Sequence, residues 1–111
     1  MVAGRSSLTR GEVWWADLDQ PTGRRPVILV SRQSGYRSRE LMLVIPVTTR
    51  DRALPSQVTL GHEEGLPRPC VANADTIMTM DRGRLLNRAG ALSTEKLAAL
   101  DDALRYALDL D

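Results

Sequence analysis

Apolar positions cluster in three runs within the first fifty residues. Glu12 to Leu18, Arg25 to Ser31 and Glu40 to Thr48 are rich in Val, Ile, Leu and Trp and are bounded by turn-forming residues, the pattern of strands. Between the first two lies Gln20-Pro21-Thr22-Gly23, with Pro and Gly where a type I turn prefers them, so these runs are expected to form a hairpin. Ser34 to Arg39 reads as a polar loop and Arg50 to Ser56 as a second, closed by Pro55. Shorter strands are predicted at Gln57 to Leu60, Cys70 to Ala74 and Thr76 to Met80, with Gly61 to Gly65 as a loop between the first two. Asp81 to Arg88 is weakly patterned and fits a helical turn running into another short strand.

After that stretch the period changes from 2 to 3.6. Leu97, Leu100, Leu104 and Leu108, with Ala103 and Ala107 beside them, form one apolar stripe on a helix. Ser93 is a good N-cap, Glu95 puts an anion in the first turn, and Leu92 and Leu97 stand where a hydrophobic staple needs them. Several short strands followed by one terminal helix predict a mainly β fold, a small barrel or sandwich capped by that helix.

Composition narrows the class. With 111 residues, 42% hydrophobic and 26% charged, the chain is expected to be one globular domain spanning 1–111, with residues 1–8 a flexible lead-in. A chain of this size buries roughly two thirds of its unfolded surface, enough for one core without a staple. Cys70 has no second Cys to pair with and, with His62 as the single His, cannot complete a Cys/His zinc site. The opening residues lead into no apolar run, and apolar stretches stay far below the ~18 residues of a membrane span. A soluble, cytoplasmic protein without membrane contact is the expectation. The net charge of +1 conceals an asymmetry, +4 over residues 1–52 and −3 over the rest, and fourteen of the fifteen basic residues are Arg. Arginine suits bidentate phosphate contacts, although an Arg-rich genome would produce the same bias.

No Walker A loop, Gly-x-Gly-x-x-Gly, Gly-x-Ser-x-Gly or paired-His zinc pattern is present. What remains is Arg24-Arg25-Pro26 opening the second strand and Thr48-Thr49-Arg50 closing the third. If these strands neighbour each other, a guanidinium and a hydroxyl converge on one anion, which is how phosphate is gripped without a metal. On periodicity alone a solvated rim explains the same residues, since Arg and Thr at strand ends are commonly exposed.

The run Arg10-Gly11-Glu12-Val13-Trp14-Trp15-Ala16-Asp17-Leu18, then Arg25-Pro26-Val27-Ile28-Leu29-Val30-Ser31, then Val44-Ile45-Pro46-Val47-Thr48-Thr49, resembles the MazF/PemK family of bacterial toxin endoribonucleases. The likeness continues through Ala74-Asp75-Thr76-Ile77 and on to Leu108-Asp109-Leu110, so it covers nearly the whole chain from Thr9. It implies a small SH3-like β-barrel with a C-terminal helix, a homodimer, and metal-independent cleavage of single-stranded RNA at short sequence motifs, as an mRNA interferase does. It also implies a cognate antitoxin whose C-terminal segment occupies the RNA site. No cofactor or metal is implied.

Residue by residue, the family's catalytic Arg, immediately before the Pro that opens the second strand, falls on Arg25, and its catalytic Thr, first of the pair ending the third strand, on Thr48. Arg24, Ser31, Thr49 and Arg50, in or beside the same motifs, are assigned to substrate binding. RNA supplies its own nucleophile: attack of the ribose 2′-OH on the adjacent phosphate leaves a 2′,3′-cyclic phosphate and a 5′-hydroxyl. Arginine's five donors suit the charge on the pentacoordinate phosphate, and a threonine hydroxyl adds a neutral hydrogen bond. Arginine is a poor base near neutrality, which leaves an arginine of strongly lowered pKa, water or the RNA itself to take the 2′-OH proton. Two departures stand out. Many members carry a longer first loop with Gly-Ser-Glu-Gln ahead of the Arg-Pro, whereas here Asp17-Leu18 reaches Arg25 through only Asp19 to Arg24, and Thr76 stands where many relatives have Gln. The first departure bears on base preference and antitoxin docking.

Other residues have plainer readings. Trp14 and Trp15 point to opposite faces of one strand, so one is expected in the core and the other at a dimer interface or lining the RNA groove, with the interface favoured. Arg32, Arg37, Arg39, Arg50 and Arg52 fall in the two loops expected to flank the site, where solvated surface is the default. His62 belongs to a residue type that titrates near neutrality, yet its polar loop makes it a surface residue, and Cys70 is expected to pack as a small apolar side chain. Two further readings keep the fold and change the function: a CcdB-like toxin that binds a topoisomerase, or an inactive barrel that binds RNA or peptide, which the shortened first loop would suit.

Overall fold

A computed structural model describes residues 8–37 and 39–111. Seven strands are followed by one helix: β1 (Glu12–Asp17), β2 (Arg24–Leu29), β3 (Leu41–Thr48), β4 (Gln57–Leu60), β5 (Cys70–Asn73), β6 (Met78–Asp81), β7 (Leu85–Ala91) and α1 (Thr94–Leu108). All strand pairs are antiparallel, in the order β4-β5-β3-β2-β1-β7, with β6 also paired to β3. The result is a sheet curled into a half-barrel, mainly β with a C-terminal helix, as the sequence pattern and the family resemblance led us to expect.

The central strand β3 turns the sheet. Leu41 to Val44 pair with β6 and Val47 and Thr48 pair with β5, while Val44 to Pro46 pair with β2. Pro46, which has no N–H to give a ladder, sits beside the change of partner. The middles of β1 and β2 and the Val44–Val47 part of β3 are covered on both faces, which is why they read as continuous apolar runs, whereas Leu41 and Leu43 at the start of β3 are exposed. Val13, Ile28 and Ile45 lie in one core under Leu100 and Ala103 of α1, while Trp14, Val27, Leu29 and Val44 lie in a second core with Tyr36, Met80 and Leu85. The open side of the curl is closed by a backbone crossing. A Cβ on Gly65, whose φ is +83°, would stand 2.0 Å from the Ala89 carbonyl oxygen, and one on Gly90 would stand 2.4 Å from that of Glu64, so only glycine permits the approach.

The helix begins as its sequence predicts. The Ser93 hydroxyl accepts from the Lys96 N–H at 3.1 Å, and Leu92 and Leu97 pack against the same core. Leu100 and Ala103 are fully covered, but Leu108, at the end of the predicted stripe, is half exposed where the helix runs past the sheet.

Several expectations are corrected. The first turn starts one residue earlier than a type I turn over 20–23: the Asp19 carbonyl accepts from the Thr22 N–H at 3.0 Å, across a cis Gln20–Pro21 peptide, and Gly23 takes φ +67°. Segment 33–37 is not a plain polar loop but a 3-10 turn that buries Gly35 and Tyr36. Strand β6 begins at Met78, because Ala74–Thr76 forms a 3-10 turn whose Asn73 cap accepts from the Asp75 N–H. Of the expected flexible lead-in, residues 1–7 lie outside the described residues, while Leu8 is buried in the second core. No helix of the described residues is long and apolar enough to cross a membrane.

Candidate functional site

The β2–β3 register, Val27 opposite Pro46 and Leu29 opposite Val44, places Arg25 opposite Thr48 when continued by two residues. Sequence separation hides this proximity, and the sheet supplies it. Arg25, Val47, Thr48 and Thr49 line two clefts at once and so form a ridge between them. One cleft, about 270 Å³, is apolar and aromatic, with Trp15, Leu66, Pro67 and Cys70 on its walls and Arg24 and Arg68 on its rim. The other, about 660 Å³, is polar, with Thr22, Arg50, Arg52, Gln57, Asn73 and Thr76. Both volumes are on the scale of small-molecule sites.

The polar groups on the ridge are arranged for a ligand. The Nε of Arg25 is buried and has no hydrogen-bond partner, and leaving a buried donor unsatisfied costs about 1–3 kcal/mol. Among the described residues no carboxylate forms an ion pair with Arg24, Arg25, Arg50 or Arg52, whereas Arg10, Arg84, Arg88 and Arg105 each have one. The Thr48 hydroxyl accepts from the Arg50 N–H at 3.2 Å, so its own proton is left to donate outward. Arg24 lies over the Trp15 ring, 4.4 Å from the centroid, with Nη2 3.4 Å from Asn87 Oδ1. An oxyanion set against this ridge would meet a guanidinium and a hydroxyl together.

The polar cleft is rigid at its floor. Gln57 Oε1 accepts from the Arg52 N–H at 2.9 Å, which holds the 50–56 segment against β4. The buried Ser56 hydroxyl lies 2.9 Å from both Asn73 Oδ1 and Asp75 Oδ2, and Thr76 Oγ1 donates to the Asn73 carbonyl at 2.7 Å. The first loop is equally fixed: Arg84 spans Asp19 with two contacts of 3.1 Å and gives a further hydrogen bond to the Asp17 carbonyl at 3.0 Å. Among the described residues no group of three or more His, Cys, Asp or Glu side chains is placed to hold a metal ion.

Of the residues assigned from the sequence, Arg24, Arg25, Thr48, Thr49 and Arg50 come together at the two clefts. Ser31 does not. It lies past the opposite end of β2, where its hydroxyl accepts from the Leu43 N–H at 2.7 Å and lines a separate cavity with Arg32 and Arg39. The loops flanking the site therefore divide, with Arg50 and Arg52 at the polar cleft and Arg32 and Arg39 at the far end. Trp14 is the core tryptophan and Trp15 the one that lines a cleft. His62 is exposed in a 3-10 turn beside Lys96, in a cavity that Arg25 and Thr48 do not share. Cys70 is largely buried at the apolar cleft, and burial, with a smaller contribution from the Glu64 charge, pushes its thiol up from the usual range. Arg68, Gln57 and Asn73 carried no signal in the sequence, because only the pairing of β4 and β5 beside β3 brings them to the ridge.

Comparison with known proteins identifies the family. Residues 9–108 match the family model described as PemK-like, MazF-like toxin of type II toxin-antitoxin system. The chain is 37% identical over 101 residues to the probable endoribonuclease MazF5 of Mycobacterium tuberculosis, covering 90% of this chain and 92% of that protein. It is 36% identical to the endoribonuclease MazF9 of the same organism, over 93% and 98%. Among solved structures, the Mycobacterium tuberculosis toxin MazF-mt6 superposes with a TM-score of 0.83 at 29% identity, over 90% of this chain and 98% of that one. A mycobacterial endoribonuclease in complex with its cognate antitoxin also gives 0.83, at 27% identity over 95% and 98%. With the family model spanning nearly all of the chain and the fold shared throughout, this protein belongs to the PemK/MazF family of toxins of type II toxin–antitoxin systems.

Proposed function

We propose that this chain is the toxin of a toxin–antitoxin pair and acts as an endoribonuclease that cuts single-stranded RNA at a short sequence motif, without a metal. The observation that carries this is the ridge itself: Arg25, with a buried donor lacking a partner, and Thr48, opposite it when the β2–β3 register is continued, both line the same two clefts. Relatives at 36–37% identity bear the name endoribonuclease, and a structural neighbour was solved with its cognate antitoxin.

A phosphodiester laid across the ridge places one nucleotide in each cleft. The 2′-OH of the nucleotide on one side attacks the phosphorus, the P–O5′ bond breaks, and the products carry a 2′,3′-cyclic phosphate and a 5′-hydroxyl. Charge builds on the equatorial oxygens in the transition state, where Arg25 stabilises it and Thr48 adds a hydrogen bond; such donors are each worth about 10²- to 10³-fold in rate. Thr49 and Arg50 hold the flanking backbone, Arg24 contacts the nucleotide in the apolar cleft, and Ser31 is left out of the contact set because of where it lies. The antitoxin's segment, in this reading, covers the same cationic ridge, and two copies of the chain form the working dimer.

The test is to incubate purified protein with a long mixed-sequence RNA in EDTA, beside Arg25→Ala, and to map new ends and their chemistry. Discrete cuts with cyclic phosphates and 5′-hydroxyls, absent in the variant, are expected. Intact RNA from folded wild-type protein would remove the ribonuclease reading and favour a topoisomerase-directed toxin or an inactive binding barrel.

A further inference from the structure

From the Arg24–Trp15 pair we infer a base-reading platform: the guanidinium of Arg24, set over the indole of Trp15, is the surface on which one base of the RNA stacks beside the cut phosphate. The inference rests on the ribonuclease reading and deepens it by assigning the apolar cleft its ligand class, a single unstacked nucleobase.

The geometry has three parts. First, the guanidinium is fixed: it sits 4.4 Å from the Trp15 ring centroid, its Nη2 lies 3.4 Å from Asn87 Oδ1, and no carboxylate forms an ion pair with it among the described residues. Asn87 itself stands opposite Trp15 in the β1–β7 ladder, so the strand pairing places a hydrogen-bond partner for Arg24 beside the indole. Second, the outer face is open, since Arg24 is exposed while Trp15 is half-buried and packs inward against the first core. The indole thus acts as a floor, and the guanidinium as the upper storey. Third, the cleft beside the platform is walled by Leu66, Pro67 and Cys70, an apolar lining that suits a base better than a sugar-phosphate, with Arg68 at the rim.

Chemistry favours the same occupant. A guanidinium plane stacks on any base face, and an indole beneath it adds polarisable surface. Arg25 and Thr48 share the ridge with this cleft, so a base in it belongs to a nucleotide directly attached to the phosphate at the ridge. The neighbouring nucleotide then falls in the polar cleft, where the side-chain N–H groups of Gln57 and Asn73, whose oxygens are taken within the chain, are left to donate to a base edge. One side of the cut is read by stacking and the other by hydrogen bonding. The first loop is compatible with the assignment: Arg84 holds it at Asp19 and Asp17, and Arg24 is exposed.

The experiment separates stacking from charge. Arg24→Lys keeps the charge and loses the plane. Binding is measured at fixed ionic strength by fluorescence in a Trp14→Phe background, which leaves Trp15 as the reporter, using an RNA oligonucleotide of the mapped cut site made uncleavable by one 2′-deoxy substitution at the attacking position. A set of oligonucleotides with a single abasic nucleotide scans the positions around the cut. We expect one abasic position next to the cut to weaken wild-type binding about tenfold, Arg24→Lys to weaken binding of the intact oligonucleotide by about the same factor, and the two losses not to add. Equal binding by Arg24→Lys and wild type, or independent abasic and Arg24→Lys losses, would overturn the platform while leaving the ribonuclease reading intact. If the wild-type chain cuts no RNA, that reading falls by itself and the same titration with a randomised single-stranded pool decides the platform: a tenfold loss in Arg24→Lys upholds it, and no loss overturns it.

Discussion

At the Arg24 end of the β2–β3 pair, Arg24 and Arg25 form no ion pair among the described residues, the Arg25 Nε has no partner there, and the Thr48 hydroxyl keeps a proton to give. At the other end Arg10 donates its Nε to the Val30 carbonyl at 3.1 Å and its Nη2 to Asp101 at 2.9 Å, Gln33 bridges the Leu8 carbonyl and the Arg10 N–H at 2.8 Å each, and Ser31 takes the Leu43 N–H. The same residue types serve opposite purposes. Where its donors reach a carbonyl and a carboxylate of the chain itself, as at Arg10, an arginine ties the terminal helix and the strand ends together. Where donors are left open beside a cleft, the arginine awaits an anion. A side chain's partners, rather than its type or exposure, separate structural from functional arginines here.

This contrast predicts how substitutions divide. Arg25→Ala is expected to slow single-turnover RNA cleavage by about 10²- to 10³-fold, with a urea midpoint close to wild type, because it removes a donor that the folded chain does not satisfy. Arg10→Ala should do the reverse. It leaves the cleavage rate unchanged and costs about 1 kcal/mol in urea unfolding, a charge-assisted hydrogen-bond value discounted because the Arg10 and Asp101 side chains are 26% and 34% exposed. Ser31→Ala should cost about 0.5 kcal/mol by the same measurement and leave both cleavage and RNA affinity unchanged; a loss of RNA affinity would return Ser31 to the site.

The smallest effect, at neutral pH, concerns Tyr36 in the buried 3-10 turn at the far end. Burial pushes its hydroxyl from 10.0 up to about 12, against a partial offset from Ser31 and Arg10. A raised acid binds its proton more firmly in the folded chain, so this stabilisation is complete below pH 10 and is lost as pH rises through about 12. Cys70, also raised by burial, contributes with the same sign, its loss beginning as pH rises above 9. Urea midpoints are therefore expected to fall between pH 9 and 11, and Tyr36→Phe should flatten the decline above pH 10.

The parts of this molecule legible in its sequence are those set by local periodicity. Strands β1 to β3 and the capped helix stand out because apolar runs and the Ser93 start signal are properties of consecutive residues. Strand β7 is harder to see, since its sequence Leu-Leu-Asn-Arg-Ala-Gly-Ala breaks the alternation and its pairing with β1 shifts register twice. The site divides in the same manner. Arg25 and Thr48 are candidates from their strand-end positions, where a solvated rim is the competing reading, and the family resemblance gives them their catalytic roles, while Ser31 falls in with them because it closes the same motif. Motif membership says nothing of which end of a strand a residue occupies, and the length of β2 sets Ser31 apart. Arg68 and Asn73 reach the clefts only through tertiary pairing and have no local signature.

The central claim is that Arg25 and Thr48 act on one phosphate. The most direct test is a double-mutant cycle of single-turnover cleavage rates for wild type, Arg25→Ala, Thr48→Val and the doubly substituted chain. Residues that act as a unit give losses that do not add, so the double variant should cleave little more slowly than Arg25→Ala alone. Losses that multiply in full would mean that the two side chains act independently, and would contradict the shared site.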